Sequence, residues 1–135
     1  MDLQLNGKNF VICGATSGFG HAIAKLLLKD EAKVIAIARG EEKLRELKDA
    51  YPKQVTTLVG DITLGNTIKA LLKVCEKEEL HGILINSAGP PAMSFMETTL
   101  ENWDEAYRQL VRWKIELTKS LIPKFKQAEI GRAHV

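Results

Sequence analysis

What this sequence lacks removes most function classes. No apolar run approaches the ~20 residues of a membrane span, and the polar start Met1-Asp2-Leu3-Gln4 is not a signal peptide. Charge of neither sign dominates, since 19 Lys and Arg face 17 Asp and Glu for a net +2. So even a balance argues against a nucleic-acid surface. Only two cysteines occur, Cys13 on an apolar strand and Cys75 on the apolar face of a helix. Both read as small core residues in a reducing, cytoplasmic compartment rather than as a disulfide framework. His21 and His81 are far apart and no carboxylates cluster, so no metal site is expected. Repeats, linkers and low-complexity stretches are missing too. The 45% hydrophobic and 27% charged content is that of a soluble globular domain.

What is present is led by glycine at one place. In Val11-Ile12-Cys13-Gly14-Ala15-Thr16-Ser17-Gly18-Phe19-Gly20-His21 an apolar strand, Asn9 to Cys13, turns into a helix running from Gly20 to Lys29 with Ala22, Ile23, Leu26 and Leu27 on one face. A helix N-terminus offers unpaired N–H groups and a partial positive charge, which favour an anion. Glycines allow the tight turn and keep side chains away from those N–H groups. Gly14, Gly18 and Gly20, with Thr16, Ser17 and Phe19 between them, therefore form a candidate phosphate cradle. The G-x-x-x-G-x-G spacing alone is weak, because a ligand-free strand-to-helix turn can show it too.

The rest of the chain repeats the same rhythm. Lys33 to Ala38 reads as a buried strand and Glu41 to Ala50 as a helix with Leu44, Leu47 and Tyr51 in line. Gln54 to Val59 is a third strand, Leu64 to Glu79 a helix carrying Ile68, Leu71, Leu72 and Cys75, and His81 to Asn86 a fourth strand. Alternation of this kind predicts an α/β fold: a doubly wound parallel sheet between two helical layers. Ligands in such sheets bind beyond the carboxyl ends of the strands, where Gly14, Arg39, Asp61 and Asn86 all fall.

Taken together, Gly14-x-x-x-Gly18-x-Gly20, Arg39 after the second strand, Gly60-Asp61-Ile62 closing the third and Asn86-Ser87-Ala88-Gly89 closing the fourth resemble the short-chain dehydrogenase/reductase family from about Leu5 to Gln127. The resemblance implies a single Rossmann-type domain. It also implies that Asp61 and Ile62 contact the adenine of a nicotinamide dinucleotide, and that Asn86, Ala88 and Gly89 lie along its ribose. Without it, Asp61 reads equally well as an N-cap in front of Leu64.

Cofactor choice turns on the end of the second strand. An acid there would bond the ribose 2′-OH of NAD, whereas an arginine accommodates the 2′-phosphate of NADP. Ala38-Arg39 offers the arginine and no acid, which predicts NADP(H) over NAD(H). The plainer alternative has Arg39 solvating the turn with Glu41 and Glu42 as surface partners. An S-adenosylmethionine-binding fold would also use a Gly-rich first turn, but it expects an acid where Ala38 stands.

The resemblance also sets out what these residues do not supply. The family's serine and Tyr-x-x-x-Lys pair have no counterpart within the 135 residues, and neither Tyr51 nor Tyr107 is followed by a matching lysine. No catalytic residue is therefore assigned. The run Glu129-Ile130-Gly131-Arg132-Ala133-His134-Val135 back-translates in frame to a widely used sequencing adapter and is read as non-native, leaving residues 1–128 as an incomplete domain. The chain alone is accordingly expected to be poorly soluble and inactive, with His81 to Asn86 as an open apolar edge.

A last helix is expected from about Asn102 to Gln127. It carries a stripe of Trp103, Ala106, Tyr107, Leu110, Val111, Leu117, Thr118 and Leu121, with Pro123 as a late kink or break. Leu110 falls where the family places a catalytic asparagine, and with Asn86 to Pro91 this resembles an atypical, 3-oxoacyl-ACP reductase-like branch. Lys114, counted one turn beyond Leu110 on the same face, is a weak substitute proton handler and more naturally an interface residue. Two functions follow. The parent is a reductase or dehydrogenase acting on a small carbonyl or alcohol, a homodimer or homotetramer through this helix; or the chain is a nucleotide-sensing module that has lost catalysis.

Overall fold

A computed structural model describes residues 3–128. Strands β1 (Asn9–Cys13) and β2 (Lys33–Ala38) have the extents expected of apolar, β-branched runs buried on both sides. With β3 (Val55–Val59) and β4 (Gly82–Leu84) they form a parallel sheet in the order β3-β2-β1-β4. In register, Val11 lies beside Ile35 and Ile83, and Ala36 beside Thr57. The order places β1 between β2 and β4, so the chain reverses its direction of travel across the sheet at the carboxyl end of β1. This is the crevice where such sheets take ligands.

Helices α1 (Gly18–Lys29) and α2 (Glu41–Ala50) cover one face; α3 (Gly65–Cys75) and the last helix cover the other. Side-chain alternation sorts the strands accordingly. Ile12, Val34, Ala36 and Ala38 pack with Ala24, Leu28, Leu44 and Leu47, while Val11, Cys13, Ile35 and Ile37 pack with Ile68, Leu71, Trp113, Leu117 and Leu121. Alanines under α1 and α2 let those helices approach the sheet closely. Gln54 stitches the first face together by donating to the Leu28 and Ala32 carbonyls at 2.9 and 2.8 Å.

Several boundaries differ from expectation for physical reasons. Helix α3 ends at Cys75, not Glu79. Glu76, Glu78 and Glu79 would sit at its negative C-terminal end. Glu78 and the Glu79 carbonyl instead accept hydrogen bonds from the buried Asn9 amide at 3.3 and 2.9 Å. Strand β4 stops at Leu84 because it pairs only with β1, so Ile85 and Asn86 leave the ladder for the crevice.

The last helix begins earlier than expected and is interrupted. Helix α4 (Leu100–Tyr107) starts on a reciprocal cap in which Thr99 and Asn102 exchange bonds at 2.9 and 3.1 Å. A π-helical turn, Arg108–Arg112, then joins it to α5 (Trp113–Ala128). The Gln109 carbonyl in that turn accepts from the Trp113 indole at 2.7 Å and from Ser87 Oγ at 3.2 Å, which offsets the disturbed helical bonding. Pro123 does not end α5, which runs on through it. The expected stripe is corrected as well. Trp113, Leu117 and Leu121 form the buried set, whereas Trp103, Tyr107, Leu110 and Val111 are substantially exposed. One wide turn shifts the helical phase, and the stripe had been counted across it.

Candidate functional site

The crevice at the carboxyl ends of the strands is a cleft of about 540 Å³, within the range of roughly 300–1,000 Å³ common for small-molecule sites. Four loops line it. From β1–α1 come Gly14, Thr16 and Ser17; from β2–α2 Ala38, Arg39, Gly40 and Lys43; from β3–α3 Gly60, Asp61, Ile62 and Thr63; and from the β4 loop Asn86, Ser87, Ala88 and Gly89. Arg108 and Gln109 of the π turn close one side. Most of the residues singled out in the sequence are thus brought to one place. Gly18, Phe19 and Gly20 are not among the lining residues: Gly18 begins α1 just beyond Ser17, Phe19 is exposed in its first turn, and Gly20 is buried.

The glycines divide by role. Gly14 has φ +66°, and a Cβ there would lie 3.2 Å from the Asn86 side-chain amide, so it turns the chain and lets the β1 and β4 ends meet. Gly18 also has a left-handed φ, +54°, but a Cβ on it would meet nothing within 4 Å. That open space lies at the start of α1, whose first turn holds no acid and whose N-cap Ser17 makes no side-chain bond. The backbone N–H groups of that helix end have no side-chain cap. Gly20 differs: a Cβ there would overlap the Gly14 carbonyl and approach its carbon at 2.8 Å, so this glycine lets helix and strand touch.

At the β2 end, Arg39 is exposed along the cleft, and among the described residues no salt bridge engages it. Its supposed partner Glu41 is held by Arg45 at 3.2 Å. Lys43, one turn into α2, brings a second cation to the same rim. No acid of this segment stands among the lining residues.

The Asp61 carboxylate does not cap α3, whose N-cap is Leu64. Its Oδ1 accepts instead from the Thr63 backbone N–H at 2.9 Å and from Thr63 Oγ1 at 2.7 Å, closing the turn after β3. Ile62 is buried beneath.

Cys13 ends β1, where its thiol meets the backbone of Asn86. Burial pushes its thiol up to about 12, so it is packing and not a nucleophile. Leu110 lies over the β4 loop, its Cδ2 3.3 Å from where a Gly89 Cβ would stand. Lys114 is not in the cleft: its ammonium sits 5.8 Å from the centre of the Trp113 ring. In an unbroken α-helix Lys114 would share a face with Leu110; the π turn breaks that phase.

Lys43, Thr63, Arg108 and Gln109 are lining residues that the sequence did not single out. Thr63 had a signal, since an aspartate two residues before a threonine forms turns of this kind. The other three arrive through tertiary placement. Among the described residues, no group of His, Cys, Asp or Glu can hold a metal ion, and no helix is long and apolar enough to cross a membrane. The suspected adapter-derived segment, 129–135, lies outside the described residues.

A parallel sheet with a glycine-turned helix end, a basic rim and a carboxylate turn defines a dinucleotide-type crevice. The short chain dehydrogenase family matches over residues 8–133, and the chain belongs to that family. An uncharacterized oxidoreductase of Staphylococcus epidermidis is 28% identical over 95% of this chain and 56% of its own length. Dehydrogenase/reductase SDR family member 6 of Xenopus laevis is 33% identical over 95% of this chain and 51% of its own. Among solved structures, L-sorbose reductase from Gluconobacter frateurii, complexed with NADPH and L-sorbose, superposes with a TM-score of 0.84 at 25% identity, covering 95% of this chain and 51% of that one. The chain spans about half the length of these relatives.

Proposed function

We propose that the chain is the NADP(H)-binding part of a reductase or dehydrogenase acting on a carbonyl or secondary alcohol. The observation that carries this reading is the β2 end of the cleft, where Ala38 and Arg39 replace an acid, Arg39 is unengaged by any carboxylate of the described residues, and Lys43 stands one turn on. Gly14 and Gly18 with the α1 N-terminus hold the pyrophosphate, Asp61 and Ile62 the adenine, and Asn86, Ala88 and Gly89 the ribose. The bound nicotinamide supplies the hydride. Among the described residues no tyrosine lines the cleft, so the proton donor is supplied from outside them. NADPH bound to a solved relative supports the cofactor reading. A 3-oxoacyl thioester ranks first among substrates, on family resemblance alone.

Fluorescence titration of the full-length protein with NADPH and NADH tests this. Wild type binds NADPH more tightly, and Arg39→Ala reduces that preference by roughly 10-fold or more, the loss of one charge-assisted contact. Equal affinities in wild type, or an unchanged preference in the variant, would refute it.

A second reading has one observation in its favour. Leu110, packed over Gly89, gives no polar group where the family resemblance expects an asparagine. A nucleotide-sensing module would bind cofactor and turn over no carbonyl compound, so a turnover assay of the full-length protein separates the two. We place the protein in the cytoplasm on its two buried thiols, and assign a homodimer or homotetramer to the apolar outer side of α4 and α5.

A further inference from the structure

One charged group in the cleft has no role in the reading above. Arg108, in the π turn, forms a forked pair with Glu105 through Nε at 3.0 Å and Nη2 at 2.5 Å. Its remaining nitrogen, Nη1, reaches across to the β3–α3 turn and donates to Thr63 Oγ1 at 2.9 Å and to the Thr63 carbonyl at 3.4 Å. Thr63 in turn uses its hydroxyl proton and its backbone N–H on the same oxygen of Asp61. One line of charge-assisted bonds thus runs Glu105, Arg108, Thr63, Asp61. Because the guanidinium fills the lone-pair side of the Thr63 hydroxyl, that hydroxyl proton is committed to Asp61. Asp61 Oδ1 is saturated from within, while Oδ2 receives no hydrogen bond from the described residues. The pairing with Glu105, and beyond it the nearby Asp61 charge, raise the proton affinity of Arg108, so the guanidinium stays charged throughout.

We infer that Arg108 is a positioning residue for base recognition: through Thr63 it fixes the Asp61 carboxylate so that its second oxygen accepts the exocyclic amino group of the adenine. This rests on the cofactor reading of the cleft. It adds that discrimination between an amino-purine and an oxo-purine dinucleotide is set from the π turn that follows α4. A guanidinium is needed rather than an ammonium, since only the planar fork can hold Glu105 and reach Thr63 together.

The test compares binding of NADPH with that of its hypoxanthine analogue, which lacks the amino group, in the full-length protein and in Arg108→Leu, Arg108→Lys, Thr63→Val and Thr63→Ser. Wild type and Thr63→Ser, which keeps the hydroxyl, prefer NADPH by about 3–10-fold, the worth of one hydrogen bond. In Arg108→Leu, Arg108→Lys and Thr63→Val the two ligands become equivalent while the NADPH-over-NADH preference survives. A merely structural role would weaken both ligands together and leave their ratio intact, which would overturn the inference. So would retained discrimination in Arg108→Leu, or loss in Thr63→Ser equal to that in Thr63→Val. Equal binding of both ligands by wild type also overturns it while sparing the cofactor reading. Wild type binding neither removes both.

Discussion

The two faces of the sheet carry similar inner layers but very different outer ones. Under α1 and α2, Ala24, Leu28, Leu44 and Leu47 are buried and α2 turns Glu41, Glu42, Lys43, Arg45 and Glu46 outward. Helix α1 buries Gly20, Ala24 and Leu28 rather than the expected face and leaves Phe19 and Leu26 as its only strongly exposed large apolar residues among those described. Across the sheet, α3 and α5 bury Ile68, Leu71, Trp113, Leu117 and Leu121 equally well. Yet α4, the π turn and α5 also expose Leu100, Trp103, Tyr107, Val111 and Ile115, with Leu100 79% exposed. A helix that covers a sheet once needs a single apolar stripe. A second stripe turned to solvent is surface that a monomeric domain has no use for. The first face exposes two scattered large apolar side chains, Phe19 and Leu26, and the second a run of five.

The sharpest way to break this comparison is to remove one side chain from each stripe of the same helix. Trp113→Ala takes a side chain that is 1% exposed out of the core, at a cost of roughly 3–5 kcal/mol. Ile115→Ala, two residues on and 50% exposed, changes the monomer by no more than about 0.5 kcal/mol. Urea unfolding of the two variants measures both. Similar losses would show that the outer stripe is already packed.

On the other face the contrast lies within one turn, between Gly20 and Gly18. Gly20→Ala forces a methyl against the Gly14 carbonyl and costs roughly 1–3 kcal/mol by overpacking. At Gly18 a Cβ would meet no atom within 4 Å, so Gly18→Val carries mainly the local cost of a left-handed φ, about 1–2 kcal/mol. Its branched side chain occupies the space in front of the α1 N-terminus, so cofactor binding is abolished in protein that still folds. Melting curves together with NADPH titration distinguish the two. If Gly18→Val still quenches or enhances cofactor fluorescence as wild type does, the phosphate cradle is misplaced.

How far the sequence could be read follows the same division. Strands β1 and β2 could be bounded to the residue because continuous β-branched runs flanked by Gly14 and Arg39 leave no competing structure. The α/β class and the family followed from the loop residues at the strand ends, which are local and ordered along the chain. The second face was harder. Nothing in the composition of Arg108 to Arg112 announces a π turn, and that single wide turn takes Lys114 off the Leu110 face and makes Trp113, absent from the expected stripe, the largest buried side chain of the helix. Glu76 to Glu79 suit an amphipathic count but not a helix C-terminus, which a check on the dipole would have caught. Lys43, Arg108 and Gln109 join the cleft only because helices cross it, and no spacing in the chain encodes that.

The smallest effect concerns the outer surface of α4 and is visible only against pH. The Arg108 guanidinium, and after it the Gln109 amide, hold the Glu105 carboxyl down at about 2. A carboxyl whose folded value is depressed below its ordinary 4.5 contributes its full stabilisation above that pH and loses it as pH falls toward 2. Because the pair is largely solvated, the contribution is small at neutral pH. Thermal melts of wild type and Glu105→Gln therefore differ slightly above pH 5 and converge as pH falls from about 4.5 toward 2, since the glutamine cannot titrate. A gap that stays constant across that window would mean that Glu105 is an ordinary surface carboxylate, and that Arg108 reaches Thr63 without its help.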